Sequence, residues 1–87
     1  MKYRKKTVVI DAVQFKNNLK EVEEFIRYQV DGNYNDTGSL QEIIISTLEG
    51  DMTVIKGDWI IKDIKGELYP IKDGIFKSTY EKVEEWG

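Results

Sequence analysis

The stretch Gly57-Asp58-Trp59-Ile60-Ile61-Lys62-Asp63-Ile64-Lys65-Gly66-Glu67-Leu68-Tyr69-Pro70-Ile71-Lys72 decides the fold. A Gly-Asp pair opens it, an apolar run follows, and Lys65-Gly66 breaks that run before a second one begins. Isoleucine and tryptophan favour the pleated strand, and glycine accepts the positive φ that a tight hairpin turn requires. The segment therefore reads as two antiparallel strands, Trp59 to Ile64 and Glu67 to Ile71. A two-residue turn at Lys65-Gly66 sets Ile64 opposite Glu67, Lys62 opposite Tyr69 and Trp59 opposite Lys72. On that register an ammonium group lies beside an aromatic ring twice, once on each face of the hairpin.

Upstream, Ile43, Ile44, Ile45 and Leu48 form a strand, Glu49-Gly50 turns the chain, and Asp51 to Ile55 returns. Lys56-Gly57 then leads into the hairpin above, which makes the whole a β-meander. Val8 to Phe15 reads as a further strand covered on both sides, because apolar residues occupy both of its alternating faces. Asn18-Leu19-Lys20-Glu21 has the form of a capping box and starts a helix that runs to about Val30. Leu19, Val22, Ile26 and Val30 give that helix an apolar stripe, with Phe25 beside it. Asp31 to Ser39 reads as a solvated connector or a lid, with the connector the simpler account. Downstream, Asp73 caps a last helix carrying Ile75, Phe76, Tyr80 and Val83. The order β-α-β-β-β-β-α is an α+β fold: a curved, mostly antiparallel five-stranded sheet with one main helix packed on it.

With 87 residues, 40% of them hydrophobic, the chain is one domain, residues 1–87. A domain this small buries only about 60–65% of the surface it exposes when unfolded, so a homo-oligomer is expected to hide more. Cysteine and histidine are both absent. Their absence removes disulfides, thiolate nucleophiles, the usual zinc sites and histidine-based triads, so neither an enzyme nor a metal or cofactor site is expected. Asp58 has no second carboxylate placed beside it and reads as the residue that closes its turn. The apolar run Val8-Val9-Ile10 is stopped by Asp11, too soon for a signal segment or a membrane span, and a cytoplasmic location is expected.

Charge is unevenly spread. Lys2, Arg4, Lys5 and Lys6 place +4 within six residues, and the other 81 residues hold nine of the 13 cations and all 16 acids, a net −7. No wide basic face follows from this, so duplex nucleic acid is not an expected partner. A compact basic spot suits a small anion. Arg4 offers a bidentate fork for phosphate, and Lys5 and Lys6 offer point charges. The candidate anion site is thus Tyr3, Arg4, Lys5, Lys6, Trp59, Lys62, Tyr69 and Lys72, with the rings stacking on a base or sugar. The plainer accounts are a solvated basic terminus and two aromatic residues spent on packing. The acidic end, Glu81, Glu84, Glu85 and Trp86, reads either as a partner contact or as a solvated helix end.

Several segments together carry a resemblance. Tyr3-Arg4-Lys5-Lys6, Val8-Val9-Ile10-Asp11-Ala12-Val13-Gln14-Phe15, Thr47-Leu48-Glu49-Gly50-Asp51-Met52, Gly57-Asp58-Trp59-Ile60-Ile61-Lys62, Lys65-Gly66-Glu67-Leu68-Tyr69-Pro70, Ile75-Phe76 and Thr79-Tyr80 occur in that order. They resemble a set of small proteins encoded by phages and prophages of Gram-positive bacteria. Relatives in that set carry proline where Thr7 stands, and Cys-Lys-Pro-Asp where this chain has Ile71-Lys72-Asp73-Gly74. The resemblance implies a source and, with it, a role against host defence in the cytoplasm of a bacterial cell. The expected function is a non-enzymatic accessory protein that sequesters a small anionic host molecule, a nucleotide immune signal. The alternatives are a protein–protein inhibitor of a host defence or nucleic-acid enzyme, and a minor virion or assembly protein.

Overall fold

The computed structural model describes residues 1–2 and 10–82; residues 3–9 and 83–87 lie outside that set. The elements are β1 (Asp11–Gln14), α1 (Leu19–Ile26), β2 (Gly32–Tyr34), β3 (Leu40–Thr47), β4 (Gly50–Ile55), β5 (Trp59–Lys62), β6 (Leu68–Ile71) and α2 (Asp73–Thr79). The α+β class and the antiparallel pairing agree with the sequence reading. The arrangement of strands does not: in place of one five-stranded sheet, the described residues form two three-stranded sheets, ordered β1-β5-β6 and β2-β3-β4.

The meander breaks between β4 and β5. Asp58 donates its backbone N–H to the Ile55 carbonyl at 2.9 Å, and its carboxylate Oδ2 accepts the Ile55 N–H at 3.0 Å. This closed turn sends the chain away from β4 instead of back along it. β5 then pairs with β1 on one side and β6 on the other. Backbone bonds carry each ladder up to this junction, from Lys56 to Gln41 at the end of β3–β4 and from Gly57 to Phe15 and Phe15 to Asp58 at the end of β1–β5.

Asp31 to Ser39 holds a strand that the connector reading lacks. β2 pairs with β3 through Gly32↔Ile43, Asn33↔Glu42 and Tyr34↔Leu40. Two residues of β3 are passed for one of β2 after Asn33, a bulge that lets Leu40 and Ile43, three apart, both point inward. Gly32 permits that packing, because a Cβ there would stand 2.3 Å from Leu40 Cδ1. The remainder of the segment is a turn organised by Asn35, whose Oδ1 accepts from the Thr37 and Ser39 amides at 3.1 and 2.8 Å.

α1 ends at Ile26, one turn short of the expected Val30. Arg27 takes the left-handed conformation (φ 70°) and still donates to the Glu23 carbonyl at 2.8 Å. The Glu23 carboxylate then reaches forward to accept the Val30 N–H at 2.9 Å, holding the chain after the helix. The capping box is also absent. Asn18 Oδ1 accepts the upstream Lys16 N–H at 2.7 Å, and the helix start has no side-chain cap.

The core lies between the inner faces of the two sheets. Ile43, Ile45 and Val54 come from one sheet and Ile60 and Leu68 from the other, with Phe15 and the Val22–Ile26 face of α1 completing the cluster. The strand residues of this cluster alternate with exposed or half-exposed neighbours, the period of a one-sided strand. None of the helices among the described residues is long and apolar enough to cross a membrane.

Candidate functional site

The hairpin register is shifted by one residue from the expected one. Trp59 faces Ile71, Ile61 faces Tyr69 and Lys62 faces Leu68. The loop has three residues, Ile64, Lys65 and Gly66, not two. Gly66 donates to the Asp63 carbonyl at 2.9 Å, and Asp63 then pairs with Glu67 through a 3.0 Å bond. That is a type I turn followed by a left-handed glycine, with Gly66 at φ 83°. The Asp63 carboxylate fixes it by accepting the Lys65 and Glu67 amides, both at 2.9 Å. Because strand side chains alternate, a one-residue slip moves every partner to the other face. Lys62 and Tyr69 are therefore not cross-strand neighbours, and neither are Trp59 and Lys72.

Each of those residues has a separate partner. Lys62 turns inward: its ammonium stands 4.5 Å from the centre of the Phe25 ring and donates to the Phe25 carbonyl. That carbonyl belongs to the last turn of α1, where no backbone amide follows to bond it. Lys62 thus satisfies a helix end, and the negative end of the helix favours its charge.

Lys72 Nζ lies 3.1 Å from both oxygens of Asp58. Asp58 is buried and already accepts the Ile55 amide, so the pair fastens the β4–β5 turn. The carboxylate therefore acts as the turn closure expected from its position after Gly57.

Trp59 stacks on Phe76 of α2, with ring centres 4.0 Å apart and planes 9° from parallel, and Tyr80 continues the stack at 5.3 Å. The Trp59 indole donates to Asp73 Oδ1 at 2.8 Å, and Gln14 Nε2 reaches the same oxygen at 3.3 Å. Asp73 is the first residue of α2 and not its cap. Its carboxyl is held below the ordinary aspartate range, first by the Trp59 N–H and then by the Lys77 ammonium 3.1 Å from Oδ2. On the same face of β6, Tyr69 donates its hydroxyl to Glu67 Oε2 at 3.0 Å. That carboxylate, with burial and the charges of Asp63 and Glu49, raises the Tyr69 phenol above its usual value.

Lys62, Lys72, Trp59 and Tyr69 therefore contribute to four separate structural contacts. Tyr3, Arg4, Lys5 and Lys6 lie outside the described residues. No group of three acidic, histidine or cysteine residues among the described ones is arranged to hold a metal ion.

Two other surfaces carry groups without such assignments. One is the outer face of β2-β3-β4, where the pairing aligns Asn33 with Glu42, Glu42 with Ile55, Ile44 with Thr53 and Ser46 with Asp51. Ile44 and Ile55 remain 50% and 45% exposed, on diagonal positions of that face. Glu42 bonds Asn33 and Asp51 bonds Ser46, and neither acid meets a cation among the described residues. The sequence signal for it was Ile44, the middle of three isoleucines on a strand whose neighbours both point inward.

The second is a groove of about 310 Å³ between the ends of the two hairpins. Ile26 and Leu68, both nearly buried, line it together with Tyr28, Leu48 and Glu67. Comparison of this chain with protein-family models, with curated proteins and with solved structures gave no match in any of the three.

Proposed function

We propose that this chain is a non-enzymatic accessory protein that works by covering a basic surface of a host protein with the outer face of β2-β3-β4. The phage setting comes from the resemblance of its sequence segments. The observation that carries the reading is the composition of that face: two exposed isoleucines on the diagonal, flanked by Glu42 and Asp51, neither of which is ion-paired among the described residues. An apolar centre with charge of one sign around it is the composition of a surface that desolvates against a complementary partner. The acids select the sign of that partner and hasten the encounter, while the isoleucines supply area. The net −7 of residues outside the first six extends the same field over the rest of the molecule.

The sequestration of a nucleotide is less well supported. It relied on Lys62 beside Tyr69 and on Lys72 beside Trp59, whose ammonium groups each have their own acceptor, and on Arg4, Lys5 and Lys6, which lie outside the described residues. Two copies meeting through the same face would place Glu42 and Asp51 against like charges, which favours a different, basic partner over self-association.

The test is affinity capture from infected host cells with the wild type and with an Ile44→Lys/Ile55→Lys variant. The expected result is one predominant host protein, released by raised salt and absent with the variant, whose melting curve stays close to wild type. Retention of the same protein by the variant, or capture insensitive to salt, refutes the assignment.

A further inference from the structure

The groove between the hairpin ends borders the sheet face just described and shares only Ser46 with the residues aligned on it. Its walls come from the β3–β4 turn and the β5–β6 loop, and Ile26 at the end of α1 closes its inner side. Both hairpin tips carry an exposed aliphatic residue, Leu48 at 70% and Ile64 at 84%. Ile26 and Leu68 make the interior apolar. The charged residue in its lining is Glu67, whose Oε2 is taken by Tyr69 while Oε1 accepts no bond among the described residues. Glu49 belongs to the β3–β4 turn and Asp63 opens the β5–β6 loop, so both wall segments carry an acid besides Glu67. Lys65, in the same loop, forms no ion pair among the described residues.

An apolar interior with a carboxylate at its rim matches one kind of side chain: a long alkyl stem that ends in a cation. We infer that the groove receives an arginine or lysine side chain from the basic protein partner, with its methylenes against Ile26, Leu48 and Leu68 and its charge on Glu67. This rests on the reading of the chain as a module for a basic protein surface, and it adds a second contact that fixes the orientation of the partner. Arginine fits better than lysine, since its planar head meets a carboxylate with two parallel bonds and is less strongly hydrated.

The experiment is an amide NMR titration of the full chain with the peptide acetyl-Gly-Arg-Gly-amide, and with the same peptide carrying uncharged citrulline. A lone side chain in an open groove binds weakly, with a Kd on the order of millimolar. The expected shifts fall on Leu48, Gly66 and Glu67. Citrulline, and separately Glu67→Gln, weaken binding by about two- to fivefold, as the loss of one partly screened ion pair demands. Leu48→Ser, at an exposed position, weakens it without lowering the melting temperature. Equal binding of both peptides overturns the inference, as does an absence of shifts at these residues. Shifts confined to Ile44, Thr53 and Ile55 overturn the groove while leaving the sheet face intact.

Discussion

Replacing Lys62 by methionine separates the two roles its ammonium has been given. Methionine keeps the unbranched stem that packs beside Leu68 and removes only the charge and its hydrogens. What is lost is a charge-assisted bond to the Phe25 carbonyl and a cation–π contact at 4.5 Å. A hydrogen bond to a charged group contributes about 1.5–3 kcal/mol, and a partly exposed cation–π contact about 0.5–1 kcal/mol. Lys62 is only half-buried, so water can reach the freed carbonyl, and the ammonium no longer has to be desolvated. The net destabilisation is therefore about 1.5–2.5 kcal/mol. With a urea slope of about 1 kcal/mol/M for a domain of this size, the midpoint falls by about 1.5–2.5 M. Urea unfolding followed by tryptophan fluorescence measures it, since Trp59 lies in the same strand. Lys62→Gln, too short to reach the carbonyl, behaves like methionine. A loss below about 0.5 kcal/mol, within the ordinary range of surface substitutions, refutes the helix-end role and returns the ammonium to the pool of groups free for a ligand.

Two further substitutions follow from the same geometry. Gly32→Ala places a methyl 2.3 Å from Leu40 Cδ1, and because Leu40 is fully buried the overpacking costs about 1–3 kcal/mol, read as a lower urea midpoint. Asp73 has a folded-state pKa below its unfolded value of about 4, so its ionised form stabilises the fold at neutral pH. That contribution is present above the unfolded value and disappears as pH falls through the lower folded one. Wild-type protein therefore melts above Asp73→Asn at pH 7, and the gap closes under acid, a trend that melting curves between pH 7 and pH 2 would contradict by staying parallel.

How far the sequence reveals this molecule depends on the range of each interaction. The β3–β4 hairpin and the apolar stripe of α1 follow from local period, and Val22 and Ile26 of that stripe are in the core. The one-residue slip of the β5–β6 hairpin also had a local signal. Asp63-Ile64-Lys65-Gly66 has aspartate at the first and glycine at the fourth position of a type I turn, which outweighs a two-residue reading centred on Lys65-Gly66. β2 has only three residues, two of them poor strand formers, and exists because β3 presents an edge to it. The division into two sheets is not local at all: it follows from Asp58 folding back on Ile55 and from the backbone bonds that join Phe15 to Gly57 and Asp58. Within the candidate anion site, the pairing of Lys62 with Tyr69 and of Lys72 with Trp59 depended on register, so the slip undid those two pairs, whereas the exposed Ile44 and Ile55 needed knowledge of what lay above the sheet.

Photo-cross-linking in infected cells tests the surface assignment most directly, with a photoreactive residue placed either at Thr53, on the outer face of β2-β3-β4, or at Ser78, on α2. The account predicts a single adduct from position 53 to a host protein at a lysine- or arginine-rich surface, diminished by salt and missing from position 78. An adduct from position 78 with none from position 53 would contradict it.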